Sequence, residues 1–321
     1  MIEVDGLRKE YGGFVAVEGS SFAVDDGEVF GVVGPNGAGK TTTLKMLAGL
    51  IEPTAGTATV AGLPAGDPEM QRALGFLPEE SPLYEEMTAT GYLEFFADLY
   101  DVPRQTARKR ITEALDRLDL VHRDRKVGNM SKGMKRKVAI ARALVNDPEV
   151  LIFDEPASGL DPLTTNYIIE FTRELREEGK TVIFSAHNLF HVESICDRLV
   201  IMNEGEIVAR GSLEEIRAAH GGTKYHVYAT IDVGQSAAVA AGRGGGPKGG
   251  NKAERRISAG HPHSNAQTNG QFQYILEDMT AVDELRAHIE AEGGRVTDIQ
   301  TETPSLEDIF LEVAGTREAQ T

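Results

Sequence analysis

Apolar residues recur along this chain with two periods, and the changes of period mark its elements. Three runs are apolar almost throughout: residues 29–33 (Val-Phe-Gly-Val-Val), residues 149–153 leading into Asp154 and Glu155, and residues 180–186 leading into His187. Such runs predict strands buried on both faces, as parallel sheets require. Shorter strands are predicted at 2–7, 57–60 and 74–77, and a turn at Tyr11-Gly12-Gly13 precedes another at 14–17. Helical spacing begins after Thr41, with Leu44, Met46, Leu47 and Leu50. It returns over 88–99, where Tyr92, Leu93, Phe95, Phe96 and Leu99 are predicted as core, and over 107–120, with Ile111, Ala114, Leu115 and Leu118. A fourth helix starts at Ser131 as N-cap, carries Met134, Val138, Ala141 and Val145, and closes at Asp147-Pro148. Consecutive helical patterns between strands predict a helical insertion over about residues 80–145.

Beyond a hairpin at 199–210 turning at Asn203-Glu204-Gly205-Glu206, a second unit is expected over 221–321, after a first domain of 1–220. Residues 225–231, 272–276 and 296–301 alternate as strands do. A helix spans 281–291 before Gly293-Gly294, and Leu306, Ile309, Phe310 and Val313 form a last amphipathic helix capped by Ser305. Residues 234–270, rich in Gly, Ala, Ser and Asn, lack the apolar residues to build a core. They contain Arg243, Lys248, Lys252, Arg255 and Arg256, with His261 and His263 as possible metal ligands; the expected reading is a solvated linker inserted at a hairpin tip.

The length of 321 residues fits about two domains. Carboxylates outnumber cations 50 to 33, for a formal charge of −17, which argues against nucleic acid as a partner. That excess serves solubility or a high-salt habitat equally well. One cysteine, Cys196, excludes an internal disulfide and is expected as a small buried hydrophobe. The acidic start Met1-Ile2-Glu3-Val4-Asp5 lacks a secretory signal pattern, and no apolar run reaches eighteen residues, so a cytoplasmic chain is expected.

The strand at 29–33 runs into Gly34, Pro35, Asn36, Gly37, Ala38, Gly39, Lys40, Thr41 and Thr42, with the spacing G-x-x-x-x-G-K-[ST]. Between a strand and a helix, this loop converges its amides on phosphate oxygens, Lys40 reaches the outer phosphates, and Thr41 offers its hydroxyl to magnesium. A buried strand ending in two carboxylates delivers acids to the same sheet edge: Asp154 suits a magnesium site, and Glu155 suits a base for water attacking a γ-phosphate. His187, ending another buried strand, is expected beside them. Tyr11 either stacks on a purine or covers a sheet edge.

In this order, over residues 2 to about 217, the motifs resemble the ATPase subunit of an ABC transporter. The resemblance implies an α/β P-loop NTPase (RecA-like) core with an antiparallel β subdomain and the helical insertion, followed by a small C-terminal α+β unit. It assigns Tyr11 to adenine stacking, Ser131 and Gly133 to the signature, Asp161 to the loop after the acids and His187 to the switch histidine. Glu79 stands where the family usually has a magnesium-binding glutamine, and Met130-Ser131-Lys132-Gly133-Met134 replaces L-S-G-G-Q. With Pro304-Ser305-Leu306-Glu307-Asp308-Ile309-Phe310, these departures look like the subfamily serving ABC-2-type exporters. By resemblance, ATP and Mg²⁺ are held in a head-to-tail homodimer that drives separate transmembrane permease subunits at the inner face of the membrane. A soluble ABC ATPase that remodels nucleic acid or ribosomes is the alternative. Such proteins usually carry two cassettes, a long coiled coil or a zinc insertion, which this chain lacks. A phosphate-loop kinase would lack the signature helix.

Overall fold

A computed structural model of the chain describes residues 1–220, 223–230, 271–276 and 278–318. Ile231, residues 234–270 with His261 and His263, and the side chain of Val313 lie outside the described residues. Two compact units result, Met1–Ile216 with Phe310–Thr321, and Arg217–Ile309.

In the first unit, β1 (Ile2–Tyr11) alternates buried and exposed residues over its first half and pairs antiparallel with β2 (Phe14–Val24). After β3 (Val29–Val33) and α1 (Lys40–Leu47), β4 (Ala55–Val60) joins the other side of β1, and β5 (Leu63–Pro64) completes the order β2-β1-β4-β5. The second sheet is built around β3. Its order uses β6 (Leu74–Leu77), β7 (Val150–Phe153), β8 (Thr181–Ala186), β9 (Arg198–Asn203) and β10 (Glu206–Ser212), arranged β10-β9-β3-β8-β7-β6. Pairs from β9 to β6 are parallel, and only β9–β10 is antiparallel. Every residue of β3, β7 and β8 is buried, as their unbroken apolar runs require. Leu47 and Met46 of α1 close a core between the sheets, where the rings of Phe22 and Phe30 stack at 5.3 Å.

The helices differ from the sequence reading in places. A short α2 (Pro68–Ala73), capped by Asp67, was too brief to show a period. Within the insertion, α3 (Ala89–Leu99) packs on α4 (Arg104–Arg117), and both pack on α5 (Lys132–Leu144). Tyr92 and Leu93 are core, but Phe95 and Leu99 are not: they are 39% and 62% exposed, because α3 buries only one flank of its wide apolar face. Tyr84 covers part of Phe95 edge-on at 5.9 Å. Leu50 likewise lies beyond the end of α1 and is exposed. The remaining helices are α6 (Pro162–Glu177), α7 (Leu189–Ile195) and α8 (Leu213–Ala219). Cys196 is buried at the end of α7, and burial pushes its thiol pKa up, which keeps it protonated.

In the second unit, β11 (Lys224–Thr230) is central between β12 (Gln271–Leu276) and β13 (Arg295–Glu302), all antiparallel. Val282, Leu285 and Ile289 of α9 (Met279–Ala291) bury Val227 and Ala229. A final helix, α10 (Leu306–Glu318), starts with a reciprocal cap: Asp308 N–H donates to Ser305 Oγ at 3.2 Å and Ser305 N–H to Asp308 Oδ2 at 2.9 Å. Among the described residues no helix is long and apolar enough to cross a membrane.

Candidate functional site

Strands β3, β8, β7 and β6 are neighbours and parallel, so their carboxyl ends meet at one edge in that order. The glycine-rich loop follows β3, His187 follows β8, Asp154 and Glu155 follow β7, and Glu79 follows β6. A cleft of about 450 Å³ opens there, lined by residues 35–42, Glu79, Glu155, Phe14 and Ala16.

The loop makes a cradle because its backbone is free to approach closely. Gly39 has φ 99°, and a Cβ there would lie 2.6 Å from Ala16 O, so only glycine fits. No side chain caps α1 and no acid sits in its first turn, which leaves its leading amides for an anion. Lys40 is buried, and its ammonium donates to Gly34 O at 2.7 Å and Pro35 O at 3.2 Å. It also lies 3.4 Å from Glu155 Oε1.

The acids are held from below. Ser185 Oγ donates to Asp154 Oδ1 at 2.7 Å and accepts the Glu155 N–H at 2.9 Å, so one hydroxyl of β8 fixes both acids. Asp154 is fully buried, and its Oδ2 has no hydrogen-bond partner. A buried carboxylate oxygen left unpaired is costly, and a hard cation is the partner its chemistry fits. Glu155 has φ 48°, in the left-handed region, where a side chain of its size is strained; such strain clusters at functional sites. Its Oε2 lies 2.7 Å from His187 Nδ1. Glu155 is therefore a buried carboxylate placed between an ammonium and an imidazole, an arrangement that can orient a water and take its proton.

Gly34, the buried Asp154 and His187, which lines a separate cavity that Glu155 also touches, do not line this cleft, and neither do Tyr11, Ser131 and Gly133. Tyr11 pairs across the β1–β2 turn with Phe14, and Phe14 is the aromatic residue at the cleft, 67% exposed. The Lys9 ammonium sits 5.1 Å from the Tyr11 ring centroid. Ser131 caps α5 by accepting the Met134 N–H at 3.2 Å, and a Cβ on Gly133 would meet the Thr164 side chain at 3.2 Å. The signature thus faces the start of α6, where Asp161 accepts the Thr164 N–H, rather than the chain's own phosphate loop. Sequence reasoning missed Ser185 and Arg136. A hydroxyl inside an apolar strand and a cation on the apolar face of α5 were the available signals.

Comparison with known proteins follows the same division. Residues 17–158 match the ABC transporter family, and residues 211–314 match the C-terminal domain of DrrA1-3-like ATP-binding proteins. The linearmycin resistance ATP-binding protein LnrL of Bacillus subtilis strain 168 is 32% identical over 323 residues, covering 98% of each chain. The Nod factor export ATP-binding protein I of Ralstonia nicotianae is 39% identical over 219 residues, 67% of this chain and 68% of its own. Among solved structures, a dimeric post-hydrolysis state of an ATP-binding cassette bound to ADP and Pi superposes with a TM-score of 0.61 at 27% identity, over 66% of this chain and 99% of that one. With a phosphate cradle facing a strained, buried glutamate and a likeness that runs end to end, the chain belongs to the ATP-hydrolysing, ATP-binding subunits of ABC transporters.

Proposed function

We propose that this subunit binds MgATP in a head-to-tail dimer with a second copy and drives a separate permease in export, at the inner face of the cell membrane. The observation that carries the export reading is the alignment over 98% of both chains with a resistance ATP-binding protein. The Nod factor export relative supports it. Dimerisation is supported by the dimeric cassette and by the placement of Ser131 and Gly133 away from their own cleft, where a second copy's phosphates would meet them.

Within one subunit, Lys40 and the amides of residues 34–42 hold the phosphates, and the phosphates compete with Glu155 for the Lys40 ammonium. Glu155 accepts the proton of the attacking water, while His187 fixes the carboxylate's direction through Nδ1. Thr41, Asp154 through Oδ2, and Glu79 would hold magnesium, which supplies charge neutralisation on the phosphates when bound. Tyr11 and its cross-strand partner Phe14 offer the flat apolar surface for the base. Glu79 and the helical insertion of α3 and α4 pass opening and closure to the permease.

Glu155→Gln tests the core of this reading. The amide cannot accept a proton, so ATP binding persists, turnover falls by about a hundredfold or more, and a dimer accumulates with ATP on size exclusion. Near-normal turnover would reject Glu155 as the base, and a monomer at saturating ATP would reject the dimer. Pulldown from solubilised membranes should recover an integral membrane permease that alters the ATPase rate; recovery of ribosomes instead would reject export.

A further inference from the structure

Arg136 lies on the side of α5 that carries Ala139, Ile140 and Ala143, and it is buried with them. Burial lowers its pKa to about 10, with Asp154, Glu79 and Glu155 acting against that fall, so it remains a cation at neutral pH. Its five N–H groups all meet main-chain carbonyls. Nε donates to Pro156 O at 2.8 Å; Nη1 donates to Pro78 O at 2.7 Å and Glu79 O at 3.0 Å; Nη2 donates to Asp154 O at 2.9 Å and Glu155 O at 2.8 Å.

An arginine bonded only to backbone holds the course of the chain rather than any particular side chain. Here two segments are held at once, the one after β6 that carries Glu79 and the one after β7 that carries both acids. The carbonyl of the strained Glu155 is one acceptor, and its N–H is already taken by Ser185, so its left-handed backbone is gripped on both sides. Five residues before Arg136, the same helix begins at its Ser131 cap. A planar five-donor fork can bridge two segments in this way, whereas an ammonium presents its donors from one point.

We propose that Arg136 is a positioning residue for ATP hydrolysis. It clamps the Glu79 segment and the Asp154–Glu155 segment to the helix that carries Ser131 and Gly133, so that any displacement of that helix re-aims Glu155. One site would thereby sense what its signature helix is bound to. The clamp rests on Glu155 as the base, and the test is built to separate the two assignments.

Arg136→Lys and Arg136→Gln in the full chain are compared with the unmodified protein for kcat and KM toward ATP, for binding of a fluorescent ATP analogue in EDTA, and for melting temperature. Both variants are expected to bind the analogue within about threefold of the parent, while kcat falls roughly tenfold to a hundredfold, as for a misplaced base. Lysine should do no better than glutamine, because charge without the fork cannot span both segments. An unchanged kcat in a folded variant overturns the clamp. So does a loss of kcat that comes with an equal loss of binding and of melting temperature, or failure of both variants to fold, since these mark a purely structural arginine. Glu155→Gln measured alongside separates the assignments: normal turnover there rejects the base, whatever Arg136 does.

Discussion

Asp147, three residues past the end of α5, has φ 58°, and its carboxylate meets two cations: Lys180 donates to Oδ1 at 2.6 Å, and Arg110 of α4 donates to Oδ2 at 3.0 Å. The hydrogen bond from Lys180, then the nearby charges of Lys180 and Arg110, hold its pKa below the usual carboxylate value. The folded state therefore binds this proton more weakly than the unfolded chain. Its stabilisation is complete above about pH 4, the unfolded value, and is lost as pH falls through the lower folded value. Asparagine tolerates the left-handed backbone, so Asp147→Asn should cost under about 1 kcal/mol at pH 7, a small figure because the carboxylate is half-exposed. Urea unfolding across pH checks this; a deficit that stays constant down to acid pH would show that the charge contributes nothing. Legibility at this scale followed the same logic of partners. Asp154, Glu155 and His187 stood out because each follows an apolar run, but Ser185 and Arg136 act through bonds to segments 18 to 58 residues away, and a polar residue among apolar neighbours marks them as unusual without naming those partners.

Elements were legible where burial is uniform, as in the unbroken apolar runs of β3, β7 and β8, which are buried on both faces. They were less so in α3, whose apolar residues wrap too far round for a single neighbour and leave Leu99 at the surface. One tight approach between elements lies where α5 packs on β6. A Cβ at Gly75 would lie 2.1 Å from Ala143 O and 2.7 Å from Leu151 Cδ2. Gly75→Ala must push the helix outward or bend the strand, at a cost of about 1–3 kcal/mol. Since α5 also carries Arg136, turnover should fall more than stability does. Urea midpoints and ATPase rates on the same preparation read both, and unchanged values for the two would mean that helix and strand are not in such contact.

For the whole molecule, a second unit was expected from the alternating segments after residue 220, whereas the return of residues 310–321 to the first unit and the order of strands in each sheet were not legible, because both depend on contacts remote in sequence. The second unit offers a direct test of its own frame. Thr230 and Gln271 face each other in the β11–β12 ladder, so a two-residue Asn-Gly turn can join them. Replacing residues 231–270 in this way should leave melting temperature and basal ATPase rate near those of the full chain. Loss of either would show that the replaced residues support the fold, and loss of permease-stimulated activity alone would assign them to docking. The central position of β3 has a further consequence, for synthesis. Its neighbours β8 and β9 begin at Thr181 and Arg198, whereas β3 ends at Val33, so on the ribosome the phosphate-loop strand waits for 148 residues before either arrives. At about 5–20 residues per second that is roughly 7–30 s with an unpaired, wholly apolar strand exposed. A nascent chain stalled before residue 181 therefore carries an apolar strand with neither of its sheet neighbours, the kind of exposed edge that promotes aggregation.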